Sequence, residues 1–419
     1  MKLVELEKEE YIKFTKENNA HFLESYEWGR VSKFRGYKVY YVGLKDNEEV
    51  KASALMLKKD LPLGYSYFYI PRGFNINYKD KELLNIFTKK LKEFSKKHKA
   101  IFFRIDPDIK LHTIDSNAQK IDGENNYDVV DNLKKIGYKH KKLTKYFETM
   151  QPRFTFRVPL EESIENIENK YTSTTKSRIK KALNSETSVE IGTKEDIKEF
   201  VRLMKMTEKR QNFYSHDLKF YEYFYEIFNK SNMVTLYLGK INIKKLIEKL
   251  TKEKNILLDE LDKLKDENGK KANNRKKEIN KNIESLDNQL KYLEDKPKEN
   301  LVVSSYLTVK YNDKTWALYA ANDMDYKNYF PNYLVYQKQI ADSFNEGYKV
   351  FDVFGTIGDP NSSSHLVGLH DFKKKWGGEY IEFIGEFDYI LKPFLNFIYT
   401  KIIPIRHKII NKHLRKNGK

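Results

Sequence analysis

The chain has 419 residues, 33% of them charged, a net charge of +18 and no cysteine. Without cysteine there are no disulfides, no thiolate metal sites and no thiol nucleophile, and a reducing compartment suits such a chain. The first residues, MKLVELEKEEYIKF, lack the apolar run of a signal peptide, and no stretch approaches the ~20 apolar residues that span a bilayer, so a soluble, cytoplasmic protein is expected. The positive balance points to anionic partners: nucleic acid, anionic lipid headgroups or phosphorylated substrates.

In chain order, short runs rich in β-branched and aromatic residues predict strands over 37–44, 51–58 and 65–70. An amphipathic helix opened by Asp80 covers 80–98, a buried strand follows over 100–105, and a second helix over 125–136 is stopped by Gly137. Gln151-Pro152 reads as a seam. Beyond it come a strand over 155–158, helices over 164–183, 195–210 and 217–228, and strands over 233–238, 301–309 and 315–320. A helix over 332–346 leads into a strand over 349–354. The pair "helix, then YKVFDVFG" echoes the earlier "helix, then HKAIFFRIDPD", which suggests a duplicated α/β module.

Between the strands near 240 and 300 lies a heptad hairpin. Ile243, Ile247, Leu250, Leu257, Leu261 and Leu264, then Ile279, Ile283, Leu286, Leu290 and Leu293, alternate steps of three and four, with Asn268-Gly269 between the runs. An antiparallel coiled-coil arm over 241–298 is predicted. It carries 16 Lys/Arg against 12 Asp/Glu, so it could lie along a polyphosphate backbone or serve as a charged spacer. The tail over 401–419 has seven Lys/Arg and no acid. Its Ile402, Ile403, Ile405, Ile409 and Ile410 could line one face of a membrane-surface helix or pack a solvated tail on the first module.

Walker A, GxGxxG, HExxH and GxSxG motifs are missing. His365 and His370 are poorly spaced for a shared metal, and neither a metal nor a cofactor is expected. Four segments hold unusual local chemistry: SYEWGRVSKFRG (25–36), YIPRGF (69–74), MTEKRQNFY (206–214) and FKKKWGG (372–378). Each alone would fit a solvated basic face with an aromatic side chain anchored in the core. Arg210 and Tyr214, four apart, are expected on one helical face.

With RIDPD, QPRFTF, WALYAAND, PNYLVYQ, VFDVFGT, GLHDFKKKWGG and IGEFDYIL in this order, the chain resembles the FemABX family of peptidoglycan interpeptide-bridge aminoacyltransferases, the FemX, FemA, FemB and MurM-like proteins. The resemblance implies two tandem acetyltransferase-like (GNAT-like) α/β modules. The first would span 1–152 and be completed by 385–419; the second would span 153–384 and carry the arm as a tRNA-binding insertion. It implies transfer of an amino acid from aminoacyl-tRNA to an amine of the stem peptide of a peptidoglycan precursor, either lipid II or UDP-MurNAc-pentapeptide, with possible contact at the inner face of the membrane. Residue by residue, Lys33 and Arg210 would grip the precursor diphosphate, although Ser32 fills the neighbouring position where relatives also place lysine. Tyr214, Tyr319, Arg72 and Trp28 would contact substrate. Phe372-Lys373 matches the family's essential pair, with Lys373 stabilising the oxyanion. Asp106 is a candidate base, the tRNA ribose hydroxyl or phosphate being the alternative. Gln211-Asn212, Ala320-Ala321-Asn322 and Val353-Phe354-Gly355 depart from the family pattern and leave the transferred amino acid open. Two other readings remain: a tRNA-dependent transferase acting on a protein N-terminus or a lipid, and a non-enzymatic tRNA-binding protein.

Overall fold

The computed structural model describes residues 1–145, 150–160, 163–211, 214–297 and 299–402. Among them, two mixed sheets are flanked by helices. The first has seven strands in the order Lys2–Glu5, Lys38–Asp46, Glu49–Asp60, Ser66–Ile70, Ala100–Ile105, Phe387–Ile390 and Lys139–His140. The second has nine: Thr187–Gly192, Val234–Asn242, Asn300–Tyr311, Lys314–Asn322, Val350–Asp352, Phe154–Pro159, Glu379–Phe383, Lys110–Ile114 and Lys120–Asn125.

Each sheet contains a single parallel pair. In the first, Ser66–Ile70 runs beside Ala100–Ile105 after a crossover through the helix Lys81–Lys97. In the second, Lys314–Asn322 runs beside Val350–Asp352 after a crossover through Pro331–Asn345. The sequence echo noted above is this β-helix-β unit used twice, since a parallel return needs such a connection. Each crossover helix starts as its residues dictate. Asp80 accepts a hydrogen bond from the Leu83 amide, and Pro331 opens the other helix, where a missing N–H costs nothing.

The structure departs from the sequence reading, or adds to it, at three places. The stretch expected as one helix over 164–183 is two, Ile164–Asn169 and Ser173–Asn184, because Thr172 turns out of the helix and caps the second through the Thr175 amide. The hairpin of residues 110–125 pairs with the second sheet, not the first. The strands Lys2–Glu5 and Thr187–Gly192, which close one edge of each sheet, have no counterpart in the sequence reading.

One apolar core joins the two sheets. Phe22, Trp28 and Leu55 from the first half pack in the same cluster as Phe200, Tyr221, Leu307 and Trp316 from the second. Between Asn242 and Asn300, which are register partners in adjacent strands, the chain leaves as the helix Ile243–Lys263 and returns as Lys270–Glu294. Ile243, Leu246, Leu250, Leu286 and Leu293 are buried at the root of this helical pair with Val303, Tyr326 and Tyr329. Further out, Arg275 bridges to Glu260 and Lys254 to Asp287. The basic tail expected over 401–419 lies, from residue 403 on, outside the described residues.

Candidate active site

The parallel pair of the second sheet opens at Trp316 and Asp352, which are the last register partners. Beyond them, 314–322 continues along Asn300–Tyr311 as far as the Ser304–Asn322 pair. The other strand turns away with Phe154–Pro159, where the Val353 amide bonds to the Phe156 carbonyl and the Thr356 amide to the Phe154 carbonyl. The result is a wedge between diverging strands. Asp352 shapes its wall: its Oδ1 accepts the Phe354 amide at 2.8 Å, and Phe354 sits at φ 54°, a conformation an Asx-type turn supports.

That turn aims the Phe354 and Gly355 carbonyls at one cation. Lys373, on the helix Val367–Lys374, donates to both, at 2.8 Å to Gly355. The neighbouring Phe372 packs edge-on against Tyr333 and Tyr336 and seats the helix that carries Lys373. Gly377 and Gly378 let the chain leave this helix: the first has φ +74°, and a Cβ on the second would come within 3.0 Å of the Arg157 backbone. Burial pushes the Lys373 ammonium down to about 7, only partly opposed by Asp352.

Behind the wedge lies a buried ionic chain. Arg157 donates to Asp352 at 2.9 Å and to Asp108 at 2.6 Å. Burial alone would raise Asp108, but the neighbouring Arg157 above all, with Arg72 adding to it, holds it well below the usual carboxylate range. His21 accepts the Leu23 amide on Nδ1 and lies 4.7 Å from the Trp316 ring; burial lowers its pKa, so its proton sits on Nε2. Asp106, at the end of the first sheet's parallel pair, accepts from the Tyr69 hydroxyl at 2.9 Å and the Arg72 amide at 2.7 Å. Burial pushes it up to about 7 against the pull of Arg72. Asp352, Arg157, Asp108 and His21 have no place among the sequence-predicted residues. RIDPD and VFDVFG contain two of them, but nothing in a linear motif signals their pairing.

The FemAB family model matches residues 6–402. This chain belongs to the FemAB family. Among similar proteins are two named lipid II:glycine glycyltransferase, from Staphylococcus aureus strains MRSA252 and bovine RF122 / ET3-1, each 30% identical over 96% of this chain and 96% of its own length. A crystal structure of FemX superimposes with a TM-score of 0.74 at 29% identity, covering 95% of this chain and 99% of that one.

In this FemAB chain the sequence-predicted residues fall into groups. Phe372 and Lys373 sit at the wedge, and Phe354 packs on the same apolar cluster as Tyr319. Tyr319 and Tyr214 line a cavity of about 270 Å³ with Met204, His216, Tyr221 and Ala320. Burial raises the Tyr319 hydroxyl to about 12, so it stays protonated and able to donate. Arg210 reaches the Asn322 carbonyl at 3.4 Å. It does not share a helical face with Tyr214: the helix Ile197–Gln211 ends first, and Tyr214 stands 99% exposed where the chain reverses toward the next helix, capped by Asp217.

Lys33 is exposed near the end of the helix Tyr26–Phe34, which is brought against the second half by Phe34 stacking on Tyr223 at 4.5 Å. Trp28 on that helix is buried edge-on to Phe22, so it seats the helix and offers no open ring to a substrate. Arg72 is buried too. Its guanidinium lies 4.5 Å from the Phe383 ring and donates to the Pro152 carbonyl, which ties the first sheet to the seam.

Proposed function

We propose that this chain transfers an amino acid from aminoacyl-tRNA to a side-chain amine on the stem peptide of lipid II, extending the interpeptide bridge of peptidoglycan. The observation that carries the reading is the placement of Lys373: a buried ammonium, fixed by two carbonyls, at the mouth of a strand wedge. Two of its N–H groups are engaged by Phe354 and Gly355, which leaves the third for an oxygen in the wedge.

In the reaction the acceptor amine attacks the ester carbonyl of the aminoacyl group. An N–C bond forms, negative charge grows on the carbonyl oxygen, and the third Lys373 proton meets it. Collapse breaks the C–O bond to the ribose, and the amine's proton goes to the departing ribose oxygen, either directly or with Asp106 as the candidate relay. Tyr319 and Tyr214 line the approach of the stem peptide, and Lys33 with Arg210 neutralises the precursor diphosphate. The ester arrives activated, so the chemistry asks for charge placement and no group-transfer cofactor. Supporting the acceptor are the relatives named for lipid II; supporting the donor are the net charge of +18 and the basic helical pair.

The test is mass spectrometry of lipid II and of UDP-MurNAc-pentapeptide, each incubated with the protein and a charged bulk tRNA pool. A ribonuclease-sensitive gain of one amino-acid residue on lipid II is expected, and its mass identifies the amino acid. A gain on the nucleotide-linked acceptor alone would reassign the acceptor. Discharge of tRNA with no gain on either would overturn the reading in favour of a protein- or lipid-directed transferase.

A further inference from the structure

We propose that the end of the first sheet at which Ser66–Ile70 begins is a docking surface for an anionic lipid bilayer. The turn before that strand presents Leu63 at 90% exposure, and the helix Pro393–Phe397 presents Phe394 at 74% and Phe397 at 55%. These two pieces sit side by side. Lys392 lies over the Tyr65 ring at 5.6 Å, and Tyr399 is 5.6 Å from Tyr67. Three large apolar side chains held outward at one end of a molecule are a cost in water that only a partner repays.

Charge says which partner. Lys392 and Lys401 flank the Phe394–Phe397 helix in sequence and are exposed, Lys59 is half-buried opposite Tyr67 on the neighbouring strand, and the nearby carboxylate, Asp60, is already held by Lys38 and Lys58. In the sequence, residues 403–419 add six Lys/Arg and no acid. Two copies of the chain would bring like charges together here, whereas apolar wedges surrounded by lysine match the boundary between acyl chains and acidic headgroups. The polarity of the fold agrees. The helix Tyr26–Phe34 runs back toward this end, and a Cβ on Gly36, just past it, would lie 3.8 Å from the Lys59 ammonium. Lys33, in the last turn of that helix, is therefore at this same end, where it could meet a lipid-linked diphosphate. That last agreement rests on the lipid II reading; the surface itself does not.

The experiment is flotation of the full chain, without substrate, on vesicles of phosphatidylglycerol with phosphatidylcholine and on phosphatidylcholine alone. The wild type is expected to float with the acidic vesicles and to be partly released by salt. Leu63→Ser/Phe394→Ser/Phe397→Ser should partition at least about tenfold more weakly, and single Leu63→Ser should weaken binding with an unchanged melting curve. Ile191→Ser, an exposed apolar site on an edge strand of the other sheet, should float as the wild type does. A wild type that stays unbound, or a triple variant that floats equally well, would overturn the proposal. So would a wild-type dimer, seen by sedimentation, that the triple variant dissolves. None of these results depends on transfer activity, so loss of this proposal and loss of the lipid II reading are separable.

Discussion

In the proposed mechanism two requirements oppose each other at Lys373: it must be buried to be aimed, and it must be charged to stabilise an oxyanion. Burial lowers its pKa to about 7, and Asp352 returns part of the charge. The proposed mechanism makes the protonated form the active one, so the rate should fall as pH rises through that pKa, with the fall displaced upward when anionic substrate is bound. Lys373→Arg, which stays charged, should lose this alkaline fall while turning over more slowly, since a guanidinium cannot reproduce the two-carbonyl seat. Lys373→Met should lower kcat by about 10²- to 10³-fold with little change in KM. An alkaline fall that survives in either variant would assign it to another group. Phe372-Lys373 was singled out in the sequence only through its match to the family's pair, since FKKKWGG taken alone would also fit a solvated basic face. The ionic chain behind it was not, because Arg157 and Asp352 lie 195 residues apart and only strand pairing brings them together.

At the scale of elements, the helical pair between Asn242 and Asn300 divides into a root and a rod. The root is part of the fold, since Tyr326 and Tyr329 are buried against it. The rod is held by its own leucines and by exposed ion pairs such as Lys254–Asp287, worth little individually. Removing residues 252–284 and closing the gap with a short glycine-containing turn should therefore leave the melting temperature within about 3 °C. The same deletion should raise the KM for aminoacyl-tRNA by about tenfold or more through lost phosphate contacts. Unchanged efficiency at limiting tRNA would make the rod a spacer. Its three-four periodicity was readable because a long amphipathic helix writes its pattern into consecutive residues. The hairpin of 110–125 was not readable, since one of its strands, KIDGEN, is exposed throughout and takes its place from the neighbour it pairs with.

The whole molecule is bound by the core that holds Trp28 and Trp316 in one cluster. The two sheets should therefore melt together. Calorimetry is expected to give one cooperative transition, and Trp316→Ala, costing about 3–5 kcal/mol, should lower it without splitting it; two resolved transitions would mean the halves fold independently. The chain also laces the sheets together at its end. Glu379–Phe383 lies inside the second sheet, between Phe154–Pro159 and Lys110–Ile114; after three more residues Phe387–Ile390 lies inside the first, between Ala100–Ile105 and Lys139–His140. There Asp388 takes both a 2.6 Å and a 2.9 Å bond from buried Arg104. During synthesis, a nascent chain with everything up to Gly378 already outside the ribosome still lacks the sixth of seven strands in one sheet and the seventh of nine in the other, and its Arg104 is without the Asp388 carboxylate. Both sheets wait for these two strands to emerge, so a ribosome stalled just before them would display two incomplete sheets with open edges, a substrate for chaperones and proteases.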